Sequence, residues 1–366
     1  MLFTACKDSL YASIFGAMLI NIVFFIFDMG KRRTFVQKLI CNNMSETLEK
    51  FALNTKITKQ GLIHKVGLIG CGEVGQEVAR MVSQAGIEVI FIEVNDQRVD
   101  EANRQIRMQL DEIINRWGLT EGDKRVILSR IKGSTDYNQI RNCDLIFEAI
   151  SSANPLQDRI ELFRRIEYFV SPETPITSSV STLMITDIAA GMKHPERALA
   201  LNFLASPTTI RIVEVVCGLQ TNQRSHEIVC RFAKMIGKEP ITINESPGNI
   251  GTRLIVTLIN EACNELVEGI SSIENIDKIM KLGFGLQHGP FEMADRIGLD
   301  KILRLMDHLF AEFGIGKFKA SPLIRRLVRA NHLGIRAGKG FYVYDTKGQK
   351  TGMNVLSTQI ISNQNN

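Results

Sequence analysis

Apolar residues recur along this chain in two rhythms, and the change from one to the other divides it. Short apolar runs at 64–69, 88–94, 144–150, 175–180, 198–203, 212–218 and 240–244 are bounded by turn residues and read as buried strands. Between them lie stretches of helical spacing. Residues 74–85 place Val74, Val78, Met81, Val82 and Ala85 on one face. Residues 96–117, 156–169 and 225–236 repeat that pattern, and Thr120 with Asp123 has capping-box spacing at a further helix start. Strands alternating with helices predict an α/β fold, a doubly wound parallel sheet. After Pro247-Gly248 the rhythm changes. Helices are expected at 250–268, 273–282, 299–313 and 322–330, with no strand pattern until 341–344. The expected organisation is therefore a sheet domain over 64–246, an all-helical C-terminal domain over 247–345, and a polar, frayed tail over 346–366.

The first 63 residues fit neither rhythm. Residues 10–27 are almost wholly apolar, close to the length of a membrane span, and Lys31, Arg32 and Arg33 follow directly. Charge on that flank would hold the rest of the chain in the cytoplasm. Three readings stand open: a membrane anchor, a signal segment, or an upstream stretch ahead of a true start at Met44. Residues 1–43 form this extension and 44–63 a lead-in.

Composition narrows the chemistry. Apolar residues make up 45% and charged residues 23% of 366, an ordinary globular balance. The net charge of +5 is mild and not gathered into a basic patch, so no nucleic-acid partner is expected. Seven scattered cysteines lack paired metal spacing. They argue against a disulfide framework or a structural metal and fit a reducing compartment.

One loop carries a specific signal. Gly70-Cys71-Gly72-Glu73-Val74-Gly75 follows a strand and opens a helix. In such a loop Gly70 permits the tight turn, Gly72 lets the backbone approach a pyrophosphate, and Gly75 lets helix and strand pack closely. The phosphates then meet the positive end of a helix. Glu93, at the end of the next strand, can accept from a ribose diol and repel a 2′-phosphate, which favours NAD over NADP. The sheet domain is thus expected to be of the Rossmann type.

At this point the residues resemble a family, the 3-hydroxyacyl-CoA dehydrogenases of the 3-hydroxybutyryl-CoA type. The resemblance runs from about 64 to 345. It is carried by the loop, by Asp144-Leu145-Ile146-Phe147-Glu148-Ala149, by Ile212-Val213-Glu214-Val215-Val216 and by Ser246-Pro247-Gly248. Two later motifs, Gly289-Pro290-Phe291-Glu292-Met293-Ala294-Asp295 and Gly338-Lys339-Gly340-Phe341-Tyr342-Val343-Tyr344, also fit. It implies hydride transfer between the C3 alcohol of an acyl-CoA and NAD, with Ala149 on the strand lining the cofactor. It further implies a CoA cleft involving 96–131 and a homodimer formed through the helical domain.

The chain departs from that pattern where the reaction needs a base. In the family a histidine takes the hydroxyl proton, oriented by a glutamate twelve residues later. The glutamate matches Glu214, and twelve residues back stands Asn202. An asparagine donates or accepts a hydrogen bond but takes no proton near neutral pH. Thr252 stands where the family has an asparagine, and Ser152 and Gln157 replace an acid and a lysine on the cofactor side. Ser181 matches the family's active-site serine. Glu214 itself and His288 are the candidate substitute bases. Three functions follow: an NAD-dependent dehydrogenase with Glu214, Asn202, Ser181 and Thr252 at its catalytic centre, a non-catalytic NAD- or acyl-CoA-binding sensor or partner subunit, and a membrane-tethered scaffold.

Overall fold

The computed structural model describes residues 63–115, 118–150, 155–203 and 207–354. The apolar segment 10–27, the lead-in as far as Leu62, Ser152 and the end of the tail lie outside the described residues. The described residues, from Ile63 onward, belong to one compact unit.

Eight strands make the main sheet. They are β1 (Lys65–Ile69), β2 (Glu88–Ile92), β3 (Ile131–Ser134), β4 (Leu145–Glu148), β5 (Ile176–Ser178), β6 (Ala198–Asn202), β7 (Ile212–Cys217) and β8 (Glu239–Asn244), in the order β3-β2-β1-β4-β5-β6-β7-β8. The central strands are apolar throughout because both faces are covered. Val66, Leu68, Val89, Phe91, Leu145 and Phe147 enter the core on one side. Their neighbours Ile69, Ile90, Ile92 and Ile146 enter the core on the other. The helices on these faces include α1 (Glu73–Gln84), α2 (Asp96–Asn115), α3 (Glu121–Ser129), α4 (Leu156–Phe169), α5 (Ile185–Ala189) and α6 (Gln223–Met235). The capping box forms as its spacing predicts: Asp123 N donates to Thr120 Oγ1 at 3.1 Å and Thr120 N to Asp123 Oδ2 at 3.0 Å.

The sheet is mostly parallel, as a doubly wound sheet requires, with one antiparallel pair. β6 and β7 pair antiparallel, with Asn202 opposite Glu214. The connection between them spans residues 203–211, too short for the crossover that parallel neighbours require. β8 then runs parallel to β7.

The second core belongs to helices α7 (Gly251–Val267), α8 (Ile273–Phe284), α9 (Pro290–Ile297), α10 (Leu299–Phe313) and α11 (Pro322–Arg329). It closes with a hairpin of β9 (Tyr342–Tyr344) and β10 (Lys350–Met353). The frayed tail expected from 346 is thus wrong as far as 354: β10 pairs with β9, and Asn354 is buried with its Nδ2 donating to Gly340 O at 2.7 Å. Two buried carboxylates hold this end. Asp277 accepts from Phe291 N, Glu292 N and Tyr342 Oη, and Asp295 from Phe341 N, Tyr342 N and Tyr344 Oη, all between 2.8 and 3.0 Å. Among the described residues no helix is long and apolar enough to cross a membrane.

Candidate functional site

The glycine loop lies where β1 hands the chain to α1. Gly70 has φ +87°, the left-handed region that L side chains avoid. A side chain on Gly75 would put its Cβ 2.4 Å from Gly70 O, so strand and helix touch backbone to backbone. Gly72 is the opposite case: its Cβ would meet nothing within 4 Å. The loop is closed beneath and open above.

No side chain caps α1 at Gly72, and the first ladder bond of the helix is Gln76 N to Gly72 O. The amides of Glu73, Val74 and Gly75 are therefore the free donors of a helix N-terminus, suited to a pyrophosphate. Glu73 and Val74 are exposed there. Cys71 differs from its neighbours. Its amide donates to Glu93 Oε1 at 2.6 Å, and its side chain is buried beneath the loop, where burial pushes the thiol far up. It supports the loop from below. Its carbonyl accepts from Gln76 Nε2 at 3.0 Å, and Gln109 of α2 in turn donates to Gln76 at 2.9 Å.

Glu93 sits half-buried just past β2. Its second oxygen accepts Val94 N at 3.3 Å. A carboxylate with about four lone-pair sites retains acceptor capacity for a ribose diol. Ala149, half-buried, flanks the loop: its amide bonds Ile69 O at 2.8 Å, and its backbone lies 3.2 Å from the Cβ position of Gly70. Open space over Gly72, free helix amides and an acid at the second strand fit an NAD diphosphate and ribose.

Asn202 and Glu214 meet because β6 and β7 are antiparallel. Directly opposite residues share a face, and Asn202 Nδ2 donates to Glu214 Oε2 at 2.7 Å. Both side chains are buried, at 5% and 3% exposure. Glu214 Oε1 accepts from Gly251 N at 3.0 Å. Both of its oxygens are therefore engaged, one by the amide and one by the first turn of α7, where the helix dipole favours negative charge. A carboxylate offers only acceptors, so the asparagine must turn its NH2 toward Glu214. Its Oδ1 is the atom left over, and among the described residues it receives no hydrogen bond.

The other two candidates converge on the same join. Thr252 is half-buried and follows Gly251. Ser181 lies in the turn after β5, half-buried, and its carbonyl accepts from Gly248 N at 2.8 Å. Gly248 and Asn249 bend the chain into α7 with φ of +78° and +49°. The structure thus brings Glu214, Asn202 and the neighbour of Thr252 into direct bonding and ties Ser181 to the join three residues before Gly251.

Sequence reading missed a layer behind this site. Glu148, fully buried at the end of β4, is paired with buried Arg159 of α4. It also accepts from Ile150 N at 2.6 Å and Ser178 Oγ at 2.5 Å. The lone acid inside an apolar strand was the available signal; its partner, on the next helix, was not. Gln157 is exposed and bonds Glu161 at 3.3 Å. His288 is engaged by Glu292 at 2.9 Å. Among the described residues no cluster of His, Cys, Asp and Glu could hold a metal ion.

Residues 65–246 match the family described as 3-hydroxyacyl-CoA dehydrogenase, NAD binding domain, and 248–344 its C-terminal domain. A probable 3-hydroxybutyryl-CoA dehydrogenase of Deinococcus radiodurans is 34% identical over 280 residues, covering 76% of this chain and 100% of that protein. The mitochondrial hydroxyacyl-coenzyme A dehydrogenase of Homo sapiens is 32% identical over 295 residues, 78% of this chain and 93% of the relative. The crystal structure of (S)-3-hydroxybutyryl-CoA dehydrogenase from Ralstonia eutropha superposes with a TM-score of 0.72 at 35% identity, covering 78% of this chain and 100% of the other.

Proposed function

The chain belongs to the 3-hydroxyacyl-CoA dehydrogenase family, and from that premise we propose how this version of the site handles its substrate. It is an NAD-dependent oxidoreductase acting between a 3-hydroxyacyl-CoA and its 3-keto partner. NAD, when bound, accepts or returns the hydride at C3. The residues of the chain do the rest. The amides of Glu73, Val74 and Gly75 hold the diphosphate, and Glu93 holds the ribose. Ser181 and Thr252 face the acyl-CoA from either side of the join. Asn202 offers Oδ1 to the C3 hydroxyl and is locked in that orientation by Glu214.

The observation that carries this reading is the Asn202–Glu214 bond. It reproduces a positioned polar pair while removing the proton acceptor. In this reading Glu214 does not replace the base, because it is buried at 3% exposure with its oxygens turned to Asn202 and Gly251. Proton removal at the C3 hydroxyl is therefore the weak step. Loss of a positioned general base costs on the order of 10²–10⁴ in rate. The expected outcome is that Asn202→His raises acetoacetyl-CoA-dependent NADH oxidation by about that factor, with NADH affinity unchanged. Equal rates for the native chain and the variant overturn the assignment of Asn202.

We also propose a homodimer through the helical domain. Leu254, Ile279, Leu282 and Phe284 are exposed at 57–76%, a set of large apolar side chains on α7 and α8. Light scattering is expected to give twice the chain mass, and Leu282→Lys with Phe284→Lys to give the monomer.

A further inference from the structure

Helix α10 packs against the join, and one of its residues reaches across to the Ser181 turn. His308 Nε2 bonds the carbonyl of Thr182, the residue after Ser181. A carbonyl only accepts, so Nε2 carries the proton and donates. The preceding carbonyl, that of Ser181, receives Gly248 N. Two consecutive carbonyls of one turn are therefore held from beyond the sheet domain. Leu309, the next residue of α10, sits against Gly248, whose Cβ would lie 2.8 Å from Leu309 Cδ2. One turn of α10 thus grips both the join and the turn that presents Ser181.

The sheet holds the ends of the same turn. Ser179 N donates to Glu148 O at 2.9 Å, and Thr186 N to Glu245 Oε2 at 2.9 Å. The ends follow the sheet, and the middle follows the helical domain. Among the described residues the Ser181 hydroxyl makes no hydrogen bond. A hydroxyl rotates freely, so the placement of this one depends on where its backbone is held.

We propose that His308 is a positioning residue for substrate binding: it fixes the Ser181 turn to the helical domain so that the Ser181 hydroxyl meets the acyl-CoA when that domain is in place. This rests on the reading of Ser181 as a substrate contact. His308 touches neither substrate nor cofactor. One neutral hydrogen bond is worth at most about a tenfold change in an equilibrium, which sets the size of the expected effect.

The test is a double-mutant cycle on the full chain loaded with NAD in its oxidised form, which cannot reduce acetoacetyl-CoA, read as acetoacetyl-CoA affinity by calorimetry. His308→Leu is expected to weaken acetoacetyl-CoA about tenfold and to leave the NADH affinity unchanged. In the Ser181→Ala background the same substitution should have no further effect, and His308→Gln, which keeps a donor, should restore most of the loss. Additive losses, or a parallel loss of NADH binding, overturn the proposal by showing a general packing role. Hydrogen exchange of the 179–186 segment without acyl-CoA supplies an independent measurement. Faster exchange in His308→Leu than in the native chain supports the clamp, and unchanged exchange removes it. A native chain that binds no acetoacetyl-CoA refutes the substrate reading of Ser181 and with it the positioning role, whatever the exchange shows of the clamp itself.

Discussion

The two halves of the described chain both carry a glycine-rich motif, and they use it in opposite ways. In the sheet half, Gly72 stands over open space, so the backbone can be approached from outside. In the helical half, Gly340 stands over Asp295: a Cβ there would lie 1.8 Å from Asp295 Oδ1 and 2.7 Å from the Cα of Gly334. The first motif leaves room for a ligand, and the second closes the protein on itself. The difference follows from what each backbone faces. Free amides at the start of α1 need an external acceptor, whereas the amides of Phe341 and Tyr342 find theirs in a buried carboxylate. Motif strength alone does not separate a binding site from a structural lock.

That contrast breaks most readily at Gly340. Gly340→Ala should displace the Asp295 carboxylate, strand its donors and cost roughly 3 kcal/mol, seen as a lower urea midpoint. A stable Gly340→Ala protein would show that the hairpin end is not closed by this contact.

The lock also titrates. Burial pushes Asp295 up to about 7 from its ordinary 3.8, against the opposing effect of its hydrogen-bond donors, and Asp277 is raised by burial as well. Between those values the folded chain keeps a proton that the unfolded chain has released. The contribution of this proton to stability is therefore fully present below about pH 4 and is lost as the pH rises through 7. A loss of about 2 kcal/mol between pH 5 and 7 is expected, at no more than 1.4 kcal/mol per pH unit. Asp295→Asn should flatten that slope in urea titrations at a series of pH values, and a native chain with no slope would place the Asp295 proton elsewhere.

The smallest effect sharpens the contrast from the other side. Gly72→Ala has no neighbour to strike, so its unfolding free energy from urea titration should stay within about 0.5 kcal/mol of the native value. NADH affinity should nonetheless fall about tenfold, because the added methyl occupies the approach to the diphosphate. Equal losses of stability and affinity would erase the distinction between the two motifs.

What could be read from the sequence tracks how local each cause is. The strands around the glycine loop announce themselves because β1, β2 and β4 are buried on both faces. β3 does not, since Ile131–Ser134 is a short edge strand of mixed character with one buried residue. Helix α9 was hidden inside a motif, although Gly289 followed by Pro290 is a start signal. Glu214 and Asn202 were found through the resemblance to the family, whose histidine and glutamate stand twelve residues apart, but their bond depends on β6 and β7 running antiparallel. The Glu148–Arg159 pair joins a strand to the next helix, the reach of His308 to Thr182 joins residues far apart along the chain, and no periodicity encodes either.

The hairpin of β6 and β7 carries a consequence for how this site tolerates change. The interval of twelve residues between Asn202 and Glu214 belongs to the connection, while their contact belongs to the ladder. Residues added within 207–211, beyond the strand ends, would alter the count and leave the partners facing each other. A one-residue slip of β7 against β6 would keep the count nearly intact and turn Glu214 to the other side of the sheet. The contact between Asn202 and Glu214 is thus set by the register of β7 against β6 and not by the number of residues between them.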